Sequence, residues 1–207
     1  MNFYDILLAK KLGGEGGVTP AGEISITENG QHDVTAFASA NVNVASGGDD
    51  NFAKLIDRSI VNVVIPSGVT TIGNSAFATC ANLLSVSIPD GVTAIETKAF
   101  SECTKLSNVQ LPDGLKTIGS NAFYSCNAFT ELTIPDSVTS IGGSAFAYCR
   151  NITKITVKAV TPPSIGSATF NSVPSTAIIY VPSGSVDAYK SATYWSTRAS
   201  YIQAIPE

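Results

Sequence analysis

Four cysteines, Cys80, Cys103, Cys126 and Cys149, follow one another at intervals of 23 residues, and thiols so regularly placed invite metal ligation or disulfide formation. A tetrahedral zinc site needs converging ligands, commonly supplied by Cys-x-x-Cys pairs, whereas an even spacing spreads the thiols along an axis. They read as a buried column of reduced side chains. A separation of roughly 5 Å between neighbours leaves a disulfide within reach, but parallel Cβ vectors disfavour the dihedral near 90° that the bond requires. Asp90, Asp113 and Asp136 also recur in phase and could form a carboxylate column that attracts calcium. Each follows a proline, where aspartate suits a turn, and Ser67 takes the same place in the first unit, so the turn reading is preferred. His32, the only histidine, lies beside Asp33 and has no second histidine with which to share a metal or run a proton relay. The glycine run at Gly13 is not followed by Gly-Lys-Ser/Thr, so it is no phosphate loop, and the sequon at Asn151 to Thr153 occupies an ordinary repeat position. No nucleophile, base and orienting group can be assembled. The expectation is a chain without catalysis, cofactor or metal.

The elements that carry these residues are repeats. VVIPSGVTTIGNSAFATCANLLS (Val63 to Ser85) aligns with the unit from Val86 to Asn108, and two more follow without a gap, Val109 to Glu131 and Leu132 to Lys154. Besides the cysteines, four columns are invariant: Pro66/Pro89/Pro112/Pro135, Ile72/Ile95/Ile118/Ile141, Ala76/Ala99/Ala122/Ala145 and Phe77/Phe100/Phe123/Phe146. Within a unit Val86 and Ile88 alternate with Ser85 and Ser87, the period of a strand with one buried face, and Pro89 ends it by withholding a donor. A turn at Asp90 and Gly91 and a second short extended piece holding Val92 and Ile95 follow. Ala99, Phe100, Cys103 and Leu106 then return the chain to the next strand. One unit cannot bury these side chains alone, so units must stack at the spacing of paired strands, roughly 4.7–4.9 Å. A fifth unit, Ile155 to Val173, slips to an offset of 24 at Phe170, with Pro162 and Pro163 marking the irregularity.

The ends of such a stack need covers. Phe52, Leu55 and Ile56 at helical spacing predict a capping helix over 51–58, within a cap of residues 51–62. At the other end a cap of residues 174–207 is predicted, with a last strand at Ala177 to Val181 and a helix from Ser185 to Trp195. Residues 1–50 form a separate leader: GGEGG (13–17) and SGGDD (46–50) have linker composition, and an Asn29-Gly30 turn between alternating segments predicts a small β-hairpin.

Only 14% of residues are charged, with net charge -4 and no basic stripe, which argues against nucleic acid as a partner. No apolar run approaches the ~18 residues of a membrane span, and Asp5 stands where a signal peptide would carry basic residues, so neither anchor nor export signal is expected.

The string I-P-x-x-V-T-x-I-G-x-x-A-F-x-x-C, seen from Ile65 to Cys80 and again from Ile134 to Cys149, resembles the BspA-like, or Treponema pallidum-type, leucine-rich repeats. The ending from Tyr180 to Trp195 is similar to the terminal unit of that family. The resemblance implies a β-rich leucine-rich-repeat solenoid of 23-residue units, and a surface that binds protein or glycan ligands. Family members are commonly surface proteins, some of them adhesins. The leader, residues 1–50, resembles leader regions of phage and prophage tail-associated proteins. That likeness implies a virion-associated or extracellular recognition module, joined to its particle or to further copies of itself through the leader. A BspA-type cell-surface or secreted adhesin is the alternative.

In leucine-rich repeats the strand face is the usual binding surface. Here its outward positions are Asn62/Val64, Ser85/Ser87, Asn108/Gln110, Glu131/Thr133 and Lys154/Thr156. Tyr124 and Tyr148 stand where other units carry small or polar residues, and tyrosine is enriched at contact hot spots. A partly packed aromatic at a rung edge is the competing reading.

Overall fold

The computed structural model describes residues 25–26, 31–33, 62–65 and 69–206. The capping helix expected over 51–58, the two glycine-rich stretches and the Asn29-Gly30 turn lie outside them. Each unit contributes one rung with three sides. The first is the strand face: β3 (Asn62–Val64), β5 (Ser85–Ser87), β7 (Asn108–Val109), β9 (Glu131–Ile134), β11 (Lys154–Val157) and β13 (Ile178–Val181). The second is a ladder of two-residue strands, β4 (Thr71–Ile72), β6 (Ala94–Ile95), β8 (Thr117–Ile118), β10 (Ser140–Ile141) and β12 (Ser164–Ile165), paired in parallel throughout. Register on both faces runs rung to rung, with Asn62 opposite Ser85 and Ile72 opposite Ile95.

The third side is a chain of turns. In the first unit Ala76, Ala78 and Cys80 donate backwards to Gly73, Ser75 and Phe77, while the N–H groups between them, of Ser75, Phe77 and Thr79, donate forward to Thr97, Ala99 and Ser101 of the next rung. This alternation satisfies a buried backbone without helix or sheet. It requires two left-handed residues per unit, and none of them is glycine: the columns are Ser75/Lys98/Asn121/Ser144/Ala168 and Thr79/Glu102/Ser125/Tyr148/Ser172.

Inside, the invariant phenylalanines form a spine. Phe77, Phe100, Phe123, Phe146 and Phe170 stack with centroids 5.2, 5.3, 5.4 and 5.9 Å apart and interplanar angles of 2–9°. The 24-residue offset of the fifth unit is therefore absorbed before Phe170. The extra residue enters at the proline pair, because Lys154 pairs with Glu131 at an offset of 23 and Ser164 pairs with Ser140 at 24.

The C-terminal cover differs from expectation in two ways. The helix is confined to α1 (Val186–Ser191), preceded by a 3-10 turn at Ser183–Ser185, and the chain then passes through left-handed Tyr194 (φ 64°) into a second 3-10 segment, Trp195–Tyr201. Nor is β13 the last strand, for β14 (Ile202–Ala204) pairs alongside it, burying Ile202. Trp195 tilts against Phe170 at 5.5 Å and ends the spine. Its Nε1 donates to the Pro163 carbonyl and the Tyr189 hydroxyl to that of Ala159. Arg198 donates to the carbonyls of Phe170, Val173 and Pro174, acceptors that a further rung would otherwise meet.

At the N-terminal side β1 (Ser25–Ile26) and β2 (Gln31–Asp33) pair antiparallel, as a hairpin requires, and β2 runs parallel to β3 with Gln31 opposite Asn62. The strand face therefore begins in the leader.

Candidate binding surface

All ten outward positions expected on the strand face lie there. Val64, Ser87, Asn108, Gln110, Glu131, Thr133 and Lys154 are exposed, and Asn62, Ser85 and Thr156 are half-buried. Some are already paired along the ladder: Ser85 Oγ donates to Asn62 Oδ1 at 2.6 Å, and Lys154 Nζ meets Glu131 Oε2 at 3.1 Å. The ion pair is exposed to water on both sides and is worth at most a few tenths of a kcal/mol. Val64 is 50% exposed and Leu84, just before β5, 44%, so the face also offers apolar contact. The face extends beyond Thr156. Pairing of Lys154 with Ile178, Thr156 with Tyr180 and Tyr180 with Gln203 extends the same face by three residues. The signal was present in the alternation of Ile178 to Val181, but no repeat motif marks it.

The face is divided. β1-β2-β3-β5-β7 form one sheet and β9-β11-β13-β14 another, with no pairing between β7 and β9. Elsewhere the residue before the strand donates one rung back, as Ser107 does to Leu84 and Thr153 to Thr130; the corresponding bond from Thr130 to Ser107 is absent. The break coincides with Phe129. It fills the column held by Leu83, Leu106 and Ile152, and its larger ring sits tilted against Phe123 at 5.8 Å, two residues before β9. The other two sides hold rungs three and four together, through Thr117–Ser140 pairing and Phe123 N–H to Ala145.

The rung on the other side of β7 opens as well. β3 and β5 pair through Val64–Ser87 and onward by Ile65 N–H to Ser87 O at 2.9 Å, whereas β5 and β7 pair only at Ser85–Asn108 and Val86–Val109. The bond that would join Ile88 N–H to the Gln110 carbonyl is missing. Between the diverging ends lies a cleft of about 370 Å³, with Val86, Ile88, Leu111 and Pro112 among its apolar lining and Ser87, Asn108, Gln110, Asp90 and Asp113 as its polar lining. At the turns the two rungs close again. A Cβ on Gly114 would stand 2.9 Å from the Asp90 carbonyl oxygen, so only glycine permits that approach.

On the turn side Tyr124 and Tyr148 come together, with ring centroids 5.1 Å apart and planes at 53°, and the Arg150 guanidinium lies 5.4 Å from the Tyr148 centroid. Both rings are half-buried, so packing and exposure are both real. They do not share the strand face with the other candidates, and the molecule therefore carries two separate candidate surfaces.

The remaining chemistry-bearing residues have structural places. All four cysteines are reduced and buried. The thiols of Cys103, Cys126 and Cys149 donate to the carbonyls of Phe77, Phe100 and Phe123 at 3.1–3.2 Å. Burial, reinforced by the neighbouring thiols, holds the Cys126 pKa well above its ordinary 9.0, and burial pushes Cys149 up to about 12. These are poor nucleophiles. Asp90, Asp113 and Asp136 are exposed turn residues, and Lys158, at the place of the column proline, reaches Asp113 at 3.9 Å. Among the described residues no group of three His, Cys, Asp or Glu side chains could hold a metal ion, and no helix is long and apolar enough to cross a membrane. Asn151 donates through Nδ2 to the Asn127 carbonyl, one more bond between rungs.

The family model for the BspA type leucine rich repeat region (6 copies) matches residues 48–177. Among solved structures, the T. pallidum leucine rich repeat protein is similar at TM-score 0.51 and 22% identity, over 74% of this chain and 82% of that one. The pneumococcal vaccine antigen PcpA is similar at TM-score 0.52 and 20% identity, over 69% of this chain and 39% of its own. A leucine-rich repeat protein from Bacteroides ovatus is 28% identical over 60% of this chain, at TM-score 0.44, and the chain spans 40% of its length. At these identities the first two establish the fold alone. A search of curated proteins returned no match. With stacked parallel rungs, a repeated I-P…A-F-x-x-C core and a family model matching well over half of its residues, the chain belongs to the BspA-type leucine-rich-repeat family.

Proposed function

We propose that the chain is a non-enzymatic recognition or adhesion module that binds a protein or glycan ligand on its strand face, displayed on a phage tail or similar particle through residues 1–50. The observation that carries the recognition reading is the exposure of the outward column. Val64, Ser87, Gln110 and Thr133 stay open to solvent while every residue beneath them serves the core. A rigid array of hydrogen-bonding groups with a few apolar and aromatic members suits a polar protein or glycan surface. Tyr124 and Tyr148 supply a second contact on the turn side. The assignment to a particle rests on the likeness of residues 1–50 to tail-associated leaders.

The division at residue 50 belongs to this reading: residues 51–207 recognise and residues 1–50 attach, with self-association of the leader as a route to multivalency. Pairing of β2 with β3 gives the two parts a continuous sheet. The experiment is immunogold labelling of phage particles and cells from the source, beside binding of full-length protein to bacterial cells. Label on tails and saturable cell binding are expected. Label on cell envelopes with none on particles replaces the first reading by a BspA-type surface adhesin. Absence of binding to any cell or matrix protein overturns both.

A further inference from the structure

We propose that the cleft between the ends of β5 and β7 seats one cationic side chain, a lysine or an arginine, projecting from a protein bound to the strand face. This deepens the recognition reading and rests on it. Rungs one and two stay joined at Ile65 and Ser87, the next pair parts at Ile88 and Gln110, and beyond it β7 and β9 do not pair. Its 370 Å³ lies at the lower end of the roughly 300–1,000 Å³ of small-ligand sites, enough for one long side chain and too little for a folded element.

The lining chooses among side chains. Asp90 and Asp113 line the cleft, Asn108 and Gln110 add amide oxygens, and the Gln110 carbonyl lacks its bond to Ile88. Among the described residues no lysine or arginine lines it. A carboxylate entering here would meet two like charges, one of them only loosely paired with the exposed Lys158, whereas an ammonium or guanidinium would find acceptors on both rungs. Val86, Ile88, Leu111 and Pro112, almost wholly buried, show the cleft a narrow apolar strip on which a methylene stem can lie, and lysine and arginine are the side chains that combine such a stem with a charged head. Among the described residues Lys158 is the cation that approaches, at 3.9 Å from Asp113, and both groups are largely exposed, so a better-placed head displaces it at little cost.

The test uses the labelled full-length protein in NMR titrations with Nα-acetyl-lysine methylamide, Nα-acetyl-arginine methylamide, the glutamate analogue and calcium chloride. The lysine or arginine probe should give saturable shifts, with millimolar affinity, centred on the side-chain amides of Asn108 and Gln110 and the backbone amide of Ile88. Asp90→Asn with Asp113→Asn should weaken that binding at least tenfold, with the thermal melt showing that the fold is kept. Asp136→Asn, outside the cleft, should change it less than twofold. Shifts spread evenly over Asp136 and Glu131, an equal response to the glutamate analogue, or calcium saturating the same resonances ahead of both amines would overturn the proposal. Failure of the parent reading looks different: cell binding by full-length protein would survive Val64→Glu with Ser87→Glu. Cell binding lost in that pair but kept in the Asp90→Asn, Asp113→Asn protein, with flat amine titrations, removes only the cleft.

Discussion

The Cys126 thiol donates a 3.2 Å hydrogen bond to the carbonyl oxygen of Phe100, which also accepts the N–H of Cys103 at 3.3 Å. The cysteine column is therefore both filler and clamp: the thiols of Cys103, Cys126 and Cys149 each supply the second donor to a buried carbonyl of the preceding rung. Cys126→Ala should cost about 1–2 kcal/mol, from a lost bond and a small void. Urea unfolding measures it, and a loss within 0.3 kcal/mol would show the thiol bond to be incidental.

Alkali should reveal the same thiols. An unfolded cysteine ionises near its ordinary 9.0, while burial pushes Cys149 up to about 12 and holds Cys126 well above 9.0. Between those values the folded state binds more protons, so stability is fully present below pH 9 and falls as pH rises from 9 towards 12. The slope is up to about 1.4 kcal/mol per pH unit for each thiol. Tyr189, raised from 10.0 by burial, adds in the same sense at the upper end. Urea midpoints from pH 7 to 10.5 test this, and Cys126→Ala should flatten the curve.

The phenylalanine spine should be the costliest place to cut. Phe100 is fully buried between Phe77 and Phe123, at 5.2 and 5.3 Å, so neither neighbour can move into its space without unstacking the next ring. Phe100→Ala should lose about 3–5 kcal/mol. A loss under 1 kcal/mol in equilibrium unfolding would contradict the spine as core.

Tyr148 holds a left-handed backbone at φ 62°, a conformation that costs an L-residue with a Cβ about 1–2 kcal/mol relative to glycine. Both Tyr148→Ala and Tyr148→Gly remove the ring, so their difference isolates the backbone. The glycine variant should be the more stable by about 1 kcal/mol despite its greater freedom when unfolded. Equal midpoints would mean that the turn relaxes out of the left-handed region once the ring is gone.

Phe129→Leu should rejoin the strand face. With the side chain that Leu83 and Leu106 provide in their rungs, the Thr130 N–H should close onto Ser107 and gain protection in hydrogen exchange, as Thr153 has against Thr130. An unprotected Thr130 would place the cause of the division elsewhere.

The period of 23 made the rungs legible, because the invariant columns of Ile95, Ala99, Phe100 and Cys103 each report the same inward position in all four units. It also placed the outward columns from Asn62 to Thr156 on one face. Departures from the period were harder to read. Phe129 looks like an ordinary apolar replacement of leucine, yet its volume coincides with the loss of a strand pairing. Tyr124 and Tyr148 are 24 residues apart, one off the period, so a register argument does not bring together rings that meet diagonally. β14 carries no repeat signature, and Ile202 belongs to the core only because the chain turns back after Tyr194. The cleft was invisible for a related reason: it depends on one missing bond between Ile88 and Gln110, two residues of ordinary type.

The acceptors that the C-terminal cover grips through its side chains, the carbonyls of Ala159, Pro163, Phe170 and Val173 with that of Pro174 directly after them, lie in or at the end of the irregular fifth unit. The cover is thus blind to how many regular rungs stand before it. Duplication or loss of a 23-codon segment upstream of Lys154 would lengthen or shorten the array by one strand spacing, roughly 4.8 Å, and present the same terminal unit to the same cover. Such a gene can change the reach of its product by recombination alone, without a compensating substitution.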